Sequence, residues 1–222
     1  MTRHFLAAAS LIAAASGATA LQAADFLTYS SRSAFAAAAG PLSGENFNAV
    51  KSDVDFSRST YRANGFTMAL DANDRTPRAA YIDAAPYLGS SINGTSFAAA
   101  ALYDAVGYDS SLVLTFDTAI TAFGADFISG SAGAFVVEVL GSTFSPVVGN
   151  PGFFGFVSDT AFTSIRLRAR PQSGHYVSLD DVTFGSGSVG AVPEPGAWAM
   201  MLGGFGIIGG ALRRRTARPA FA

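Results

Sequence analysis

The chain of 222 residues has no cysteine, which excludes disulfide scaffolds, thiol catalysis and thiolate-bound zinc. Lysine occurs once, at Lys51, so Ser–Lys nucleophilic chemistry has nothing to draw on. Histidine occurs twice, at His4 and His175, and the first lies in an N-terminal leader. A single His175 beside a Pro171-Gln172-Ser173-Gly174 turn reads as an exposed polar residue rather than a catalytic base. The only tryptophan is Trp198. No GxSxG elbow, phosphate-binding loop or HExxH motif is present, so the chain reads as a non-enzyme. Charged residues are 14% of the total and the net charge is −2, which gives no footing for nucleic acid. With 19 Phe, the chain is equally unlike a disordered polyelectrolyte.

What is present is sharply segregated. The mean hydropathy of +0.32 is concentrated at the two ends. Met1-Thr2-Arg3-His4, an apolar Ala-rich stretch from Phe5 to Ala15 and small residues thereafter form a secretory signal peptide over residues 1–24. At the other end, residues 196–212 are uncharged and precede Arg213, Arg214 and Arg215. Seventeen residues reach about 25 Å as a helix, the short limit for a transmembrane helix. A basic cluster after such a span stays on the cytoplasmic side, in agreement with export of everything before it. A Gly/Ser-rich linker, residues 186–192, leads into Pro193-Glu194-Pro195. Two prolines about one glutamate continue neither helix nor ladder, so this stretch is extended and accessible to a processing enzyme.

Pro193-Glu194-Pro195, Trp198-Ala199, the Gly-rich span and Arg213-Arg214-Arg215 together resemble the PEP-CTERM sorting signal, placed here at residues 193–217. The resemblance implies an exported Gram-negative protein recognised by an exosortase, a membrane-embedded cysteine protease or transpeptidase. It implies a membrane-anchored precursor, then a cell-surface or extracellular protein associated with exopolysaccharide. Pro193, Glu194 and Pro195 would be the recognition motif, with Trp198 beside it and Arg213 to Arg215 as the stop-transfer end.

Between the ends, residues 25–192 carry 15 acidic against 9 basic side chains, a net of −6. One helix is predicted, opened by a Ser cap at Ser31 and stopped by Gly40-Pro41. Elsewhere apolar residues recur with period two: Leu112, Leu114, Phe116; Phe123, Ala125, Phe127; Phe135, Val137, Val139; Ile165, Leu167, Ala169; Val182, Phe184. Turns are expected at residues 117–119, 129–133, 141–142 and 149–152. The pattern predicts an all-β antiparallel sandwich over residues 25–185, of jelly-roll type, with one short N-terminal helix. Residues 123–127, 152–156 and 179–185 also resemble bodies attached to this tail, which are similar to lectin-type sandwiches.

Three candidate sites follow from residue types. Arg166, Arg168 and Arg170 alternate along one strand and so share a face, a grip for an anionic polysaccharide. Tyr81, Tyr87, Tyr103 and Tyr108 are candidate stacking platforms for sugars, the alternative function being a carbohydrate-binding module. No cofactor is expected beyond a structural calcium, for which Glu45 and Asp181 are candidates because first and last strands are commonly neighbours. Asp180 and Asp181 are expected on opposite strand faces, so a glycan hydrolase built on them is the weaker reading. Asp71, Asn73 and Asp74 form an oxygen cluster read as a turn.

Overall fold

The computed structural model describes residues 24–84, 92–129, 135–148 and 151–187, and Phe205 beyond them. The leader reading (1–23), Tyr87 and the sorting tail with Pro193, Glu194, Pro195, Trp198 and Arg213 to Arg215 lie outside the described residues. Among the described residues no helix is long and apolar enough to cross a membrane, and the span 196–212 falls outside them but for Phe205.

Strands β1 (Phe26–Tyr29), β2 (Leu42–Glu45), β3 (Val54–Asp55), β4 (Thr60–Arg62), β5 (Phe66–Ala72) and β6 (Ala80–Asp83) come first, with helix α1 (Arg32–Ala39) after β1. Then follow β7 (Phe97–Ala105), β8 (Tyr108–Ser129), β9 (Phe135–Val139), β10 (Ser142–Phe144), β11 (Gly152–Ala169) and β12 (Ser173–Gly185). Every described pairing is antiparallel. The period-two residues do what alternation requires: Leu112, Leu114, Ile165, Leu167, Val137 and Phe184 all enter one core. Phe116 sits at its centre, with ring centroids 5.3–6.2 Å from Phe66, Phe123, Phe162 and Phe184. Offset and edge-on rings at this range add attraction beyond the area they bury. The fold is an all-β antiparallel sandwich with one short helix.

Residues 117–119 do not form the expected turn. β8 continues through them, and its ladder with β11 lapses after Phe123↔Phe156 and Ala122↔Val157, with Ile120↔Phe162 between irregularities. Asp117, Thr118 and Ala119 are exposed in succession, as are Asp159, Thr160 and Ala161 on β11. The two longest strands bulge together and bend, so each serves both layers. One half of β8 lies between β5 and β11, the other between β11 and β12. Polar residues that suit a turn suit a bulge equally well.

Helix α1 forms as its local signals dictate. Ser31 Oγ accepts from Ala34 N–H, and Gly40 ends the helix at φ 68°. Phe35 and Ala39 are buried against Ala122 and Val157, outside the main core. Gly124 and Gly155 face each other on β8 and β11, and a Cβ on either would come within 2.8 Å of the Phe153 ring. Their bare backbone makes the slot that holds Phe35 and Phe153. Thr121 Oγ1 donates to the Gly187 carbonyl, and a Cβ on Gly187 would lie 2.8 Å from Ala39 Cα, so residues 186–187 rest against the domain.

Candidate functional site

The site is built by a change of partner along one edge of β12. Its first half, Ser173 to Leu179, pairs with β7, and its last four residues, Val182 to Gly185, pair with β2. β8 pairs with the opposite edge from Val177 to Gly185, with an irregularity after Asp180. Between the two partners the ladder breaks at Asp180 and Asp181, and Asp181 enters the left-handed region at φ 46°. This is a β-bulge, so the expected placement of Asp180 and Asp181 on opposite faces of a regular strand is corrected. An acidic residue tolerates that conformation better than a β-branched one.

The gap opens a cleft of about 660 Å³, lined by Arg32, Glu45, Asn46, Asn64, Asp181 and Thr183 among others. Glu45 organises its far wall: one carboxylate oxygen accepts from Phe47 N–H at 2.7 Å and the other from Asn64 N–H at 2.9 Å. Asn64 Nδ2 donates to the Gly44 carbonyl at 3.1 Å. On the near wall Arg32 reaches acceptors on two strands, β12 and β8. Its Nη2 lies 2.9 Å from both the Asp181 carbonyl and Asp126 Oδ2, and its Nη1 reaches Thr183 Oγ1 at 3.4 Å. The guanidinium also sits 4.7 Å above the Phe153 ring, a cation–π contact.

Asp180 is fully buried behind this cleft, directly opposite Asp126. Burial, reinforced by the neighbouring Asp181 charge, pushes its carboxyl up to about 7 against hydrogen bonds that favour the anion. Those bonds come from Asp181 N–H at 2.7 Å and Thr95 Oγ1 at 3.4 Å. Asn93 adds a bond to Asp181 Oδ2 at 3.2 Å, so the segment before β7 is pinned to the bulge.

Glu45 and Asp181 line one cleft because β2, not the first strand β1, pairs with β12. Both Glu45 oxygens are occupied by backbone N–H groups, and Arg32 already takes the Asp181 carbonyl. A hard cation needs six to eight oxygens, and among the described residues no three His, Cys, Asp or Glu side chains gather to hold a metal. The Asp71–Asp74 cluster is a turn, in which Asn73 Oδ1 accepts from Arg75 N–H, Thr76 N–H and Thr76 Oγ1.

Arg166 and Arg168 are aligned but not free. Ile165, Leu167 and Ala169 are buried in the core, and Arg166 and Arg168 point outward as expected. Arg166 binds Asp71 at 2.8 Å and Ser111 at 2.6 Å. Arg168 faces Glu138, Asp104 and Asp109 at 3.3, 3.4 and 3.5 Å. Arg170 lies past the end of β11 and is exposed. Four carboxylates thus meet the two guanidiniums of Arg166 and Arg168.

The tyrosines assemble in part. Tyr103 and Tyr108 stand with ring centroids 6.4 Å apart. The Tyr103 ring covers Gly174, where a Cβ would come within 2.5 Å of it. Tyr176, two residues on, is 54% exposed and shares this outer face because it opposes Ala101. Sequence reasoning missed Tyr176; its alternation with Gly174 on β12 was the available signal. Tyr81 lies on the same face, opposite Ala99, one strand further out. His175 belongs to β12, opposite Leu102, rather than to a turn.

No curated protein matches this chain. Among solved structures, two mutant forms of a family 29 carbohydrate-binding module, studied for their mechanism of ligand recognition, are similar to it. They share 12% and 13% identity over 65% of this chain and 99% of theirs, with TM-scores of 0.37 and 0.36. A likeness at that level carries no argument about ligand. The family model for the PEP-CTERM protein-sorting motif matches residues 191–215. This chain thus carries, behind its β-sandwich, a PEP-CTERM protein-sorting motif, consistent with an exosortase substrate.

Proposed function

We propose that the protein is exported, held briefly as a membrane-anchored precursor, and processed by an exosortase to the cell surface or extracellular matrix. There the sandwich acts without catalysis, in association with exopolysaccharide. The observation that carries this reading is the sorting motif at residues 191–215. The leader over residues 1–24 and the arginines after residue 212 support the same topology. The order of parts supports it too. Gly187 and Pro193 are six residues apart in sequence, at most roughly 22 Å, so the sorting motif follows the folded domain closely. The jelly-roll, lectin-like assignment of the sandwich belongs to this proposal and rests on the sequence resemblance.

The intact mass of mature protein from cells with and without their exosortase tests the proposal. Both ends are lost when the enzyme is present, with the new terminus near Pro195. Retention of Arg213 through Ala222 in all mature material, with a functional exosortase, overturns the reading.

A second reading, a carbohydrate-binding module, is favoured by the strip of Tyr103, Tyr108 and Tyr176 on one sheet face. Aromatic faces stack on the apolar faces of sugars. Under this reading Tyr176→Ala lowers retention on an immobilised glycan several-fold, measured by affinity electrophoresis; equal retention removes the strip from consideration.

A further inference from the structure

The cleft at the β12 bulge holds hydrogen-bonding groups that no described residue engages. Asn46 Oδ1 accepts from Asn48 N–H at 3.2 Å, and Asn64 Nδ2 donates to the Gly44 carbonyl at 3.1 Å. Each bond fixes which end of the amide faces out, so the free atoms are defined. Asn46 Nδ2, Asn64 Oδ1 and Asp181 Oδ1 have no protein partner among the described residues. One donor and two acceptors face a cavity of about 660 Å³, within the roughly 300–1,000 Å³ range of small-molecule sites.

The charges around it narrow the ligand. The lining carries one guanidinium, Arg32, against the carboxylates of Glu45 and Asp181. Arg32 is moreover neutralised by Asp126 at 2.9 Å. An anionic ligand meets net repulsion here and finds no unpaired cation. Hydroxyl groups both donate and accept, and so satisfy a mixed set of this kind. The walls are held in advance, since Glu45 bridges Phe47 N–H to Asn64 N–H and Arg32 bridges β12 to β8. A site already in its bound geometry loses little freedom on binding.

We propose that this cleft binds a neutral polyhydroxylated ligand, a hexose or pentose unit of an oligosaccharide. Asn46, Asn64 and Asp181 make the direct contacts, and Glu45 and Arg32 are positioning residues. The site is independent of the sorting reading and competes with the tyrosine strip as the place where a glycan docks.

Calorimetric titration of the full-length chain in a detergent without a sugar headgroup tests the proposal. The probes are cello-, xylo- and manno-oligosaccharides, with oligogalacturonate as the anionic counterpart. At least one neutral oligosaccharide binds saturably, and Asn46→Ala and Asn64→Ala each weaken it at least tenfold, while Tyr176→Ala leaves it unchanged. Both asparagines are exposed, so these variants keep the fold, and matching urea midpoints verify that. Absence of neutral binding, preference for oligogalacturonate, or wild-type affinity in both asparagine variants overturns the site. Loss in Tyr176→Ala alone overturns it in favour of the tyrosine strip. Neither result bears on the sorting reading, which the mature mass decides separately.

Discussion

The arginine face of β11 and the cleft at the β12 bulge are both rich in charge, yet they partner it differently. On the arginine face Arg166 and Arg168 are each met by carboxylates from other strands, and no guanidinium faces solvent unpaired between them. In the cleft much of the bonding goes to backbone: Glu45 takes two N–H groups, and Arg32 takes a carbonyl besides its pairing with Asp126. That arrangement leaves neutral amide atoms turned toward open space. Alignment of like side chains along a strand is a property of the strand; availability of those side chains depends on what the neighbouring strands bring.

The comparison is sharpened most by Asp180, the buried carboxyl behind the cleft. Its folded-state value of about 7 lies above the ordinary 3.8, so between these values the folded state retains a proton that the unfolded chain has lost. Its contribution therefore favours folding less as pH rises from about 4 to about 7, by at most roughly 4 kcal/mol. Asp180→Asn, which keeps an acceptor for Asp181 N–H, gains stability at pH 8 and none at pH 4. Urea denaturation at the two pH values measures this, and an equal gain at both would show that ionisation is not the cause.

A smaller effect is expected from Glu45→Ala, which strands Phe47 N–H and Asn64 N–H. About 1–2 kcal/mol is lost, because Asn64 N–H can turn to water while the bond to Phe47 is partly buried. Thermal unfolding of the variant reads it out; a loss no larger than that of an unrelated surface glutamate means that the carboxylate does not organise the wall.

The smallest effect belongs to the arginine face. With Arg166, Arg168 and Arg170 replaced by serine, retention on an acidic exopolysaccharide column is unchanged, because carboxylates already meet Arg166 and Arg168 and Arg170 alone makes no paired grip. Stability falls by about 1 kcal/mol or less, as partly exposed ion pairs contribute little. A clear drop in retention would favour the anionic grip.

Much of the architecture was legible because it is local. Alternating Leu112, Leu114 and Phe116 declare a strand with one buried face, and Ser31 with Gly40-Pro41 declares a helix and its limits. Residues 41–111 gave weaker signals: β2, β3, β4 and β6 are two to four residues long, too short to display a period. The bend in β8 at residues 117–119 was misread because exposed polar residues at a bulge resemble those at a turn, and the matching bend in β11 carried no turn signal. Of the sites, the meeting of Glu45 and Asp181 was expected from adjacency of the end strands, but it is β2, not the first strand β1, that pairs with β12. Arg32 and Asn64, which decide what that meeting can hold, come from parts of the chain with no distinguishing motif.

Composition and local pattern alone determined the segregation of apolar ends from an acidic middle, the sorting motif, and the strand and helix character of the domain. These depend on residues within a few positions of one another. Only the tertiary structure decided which charges are paired, where β12 exchanges β7 for β2, and that Asp180 is buried. Arg168 meets carboxylates 30, 59 and 64 positions away, and Arg32 meets a carbonyl 149 positions away. Contacts at such separations arise from strand register and the shared bend of β8 and β11, which no short stretch of residues encodes.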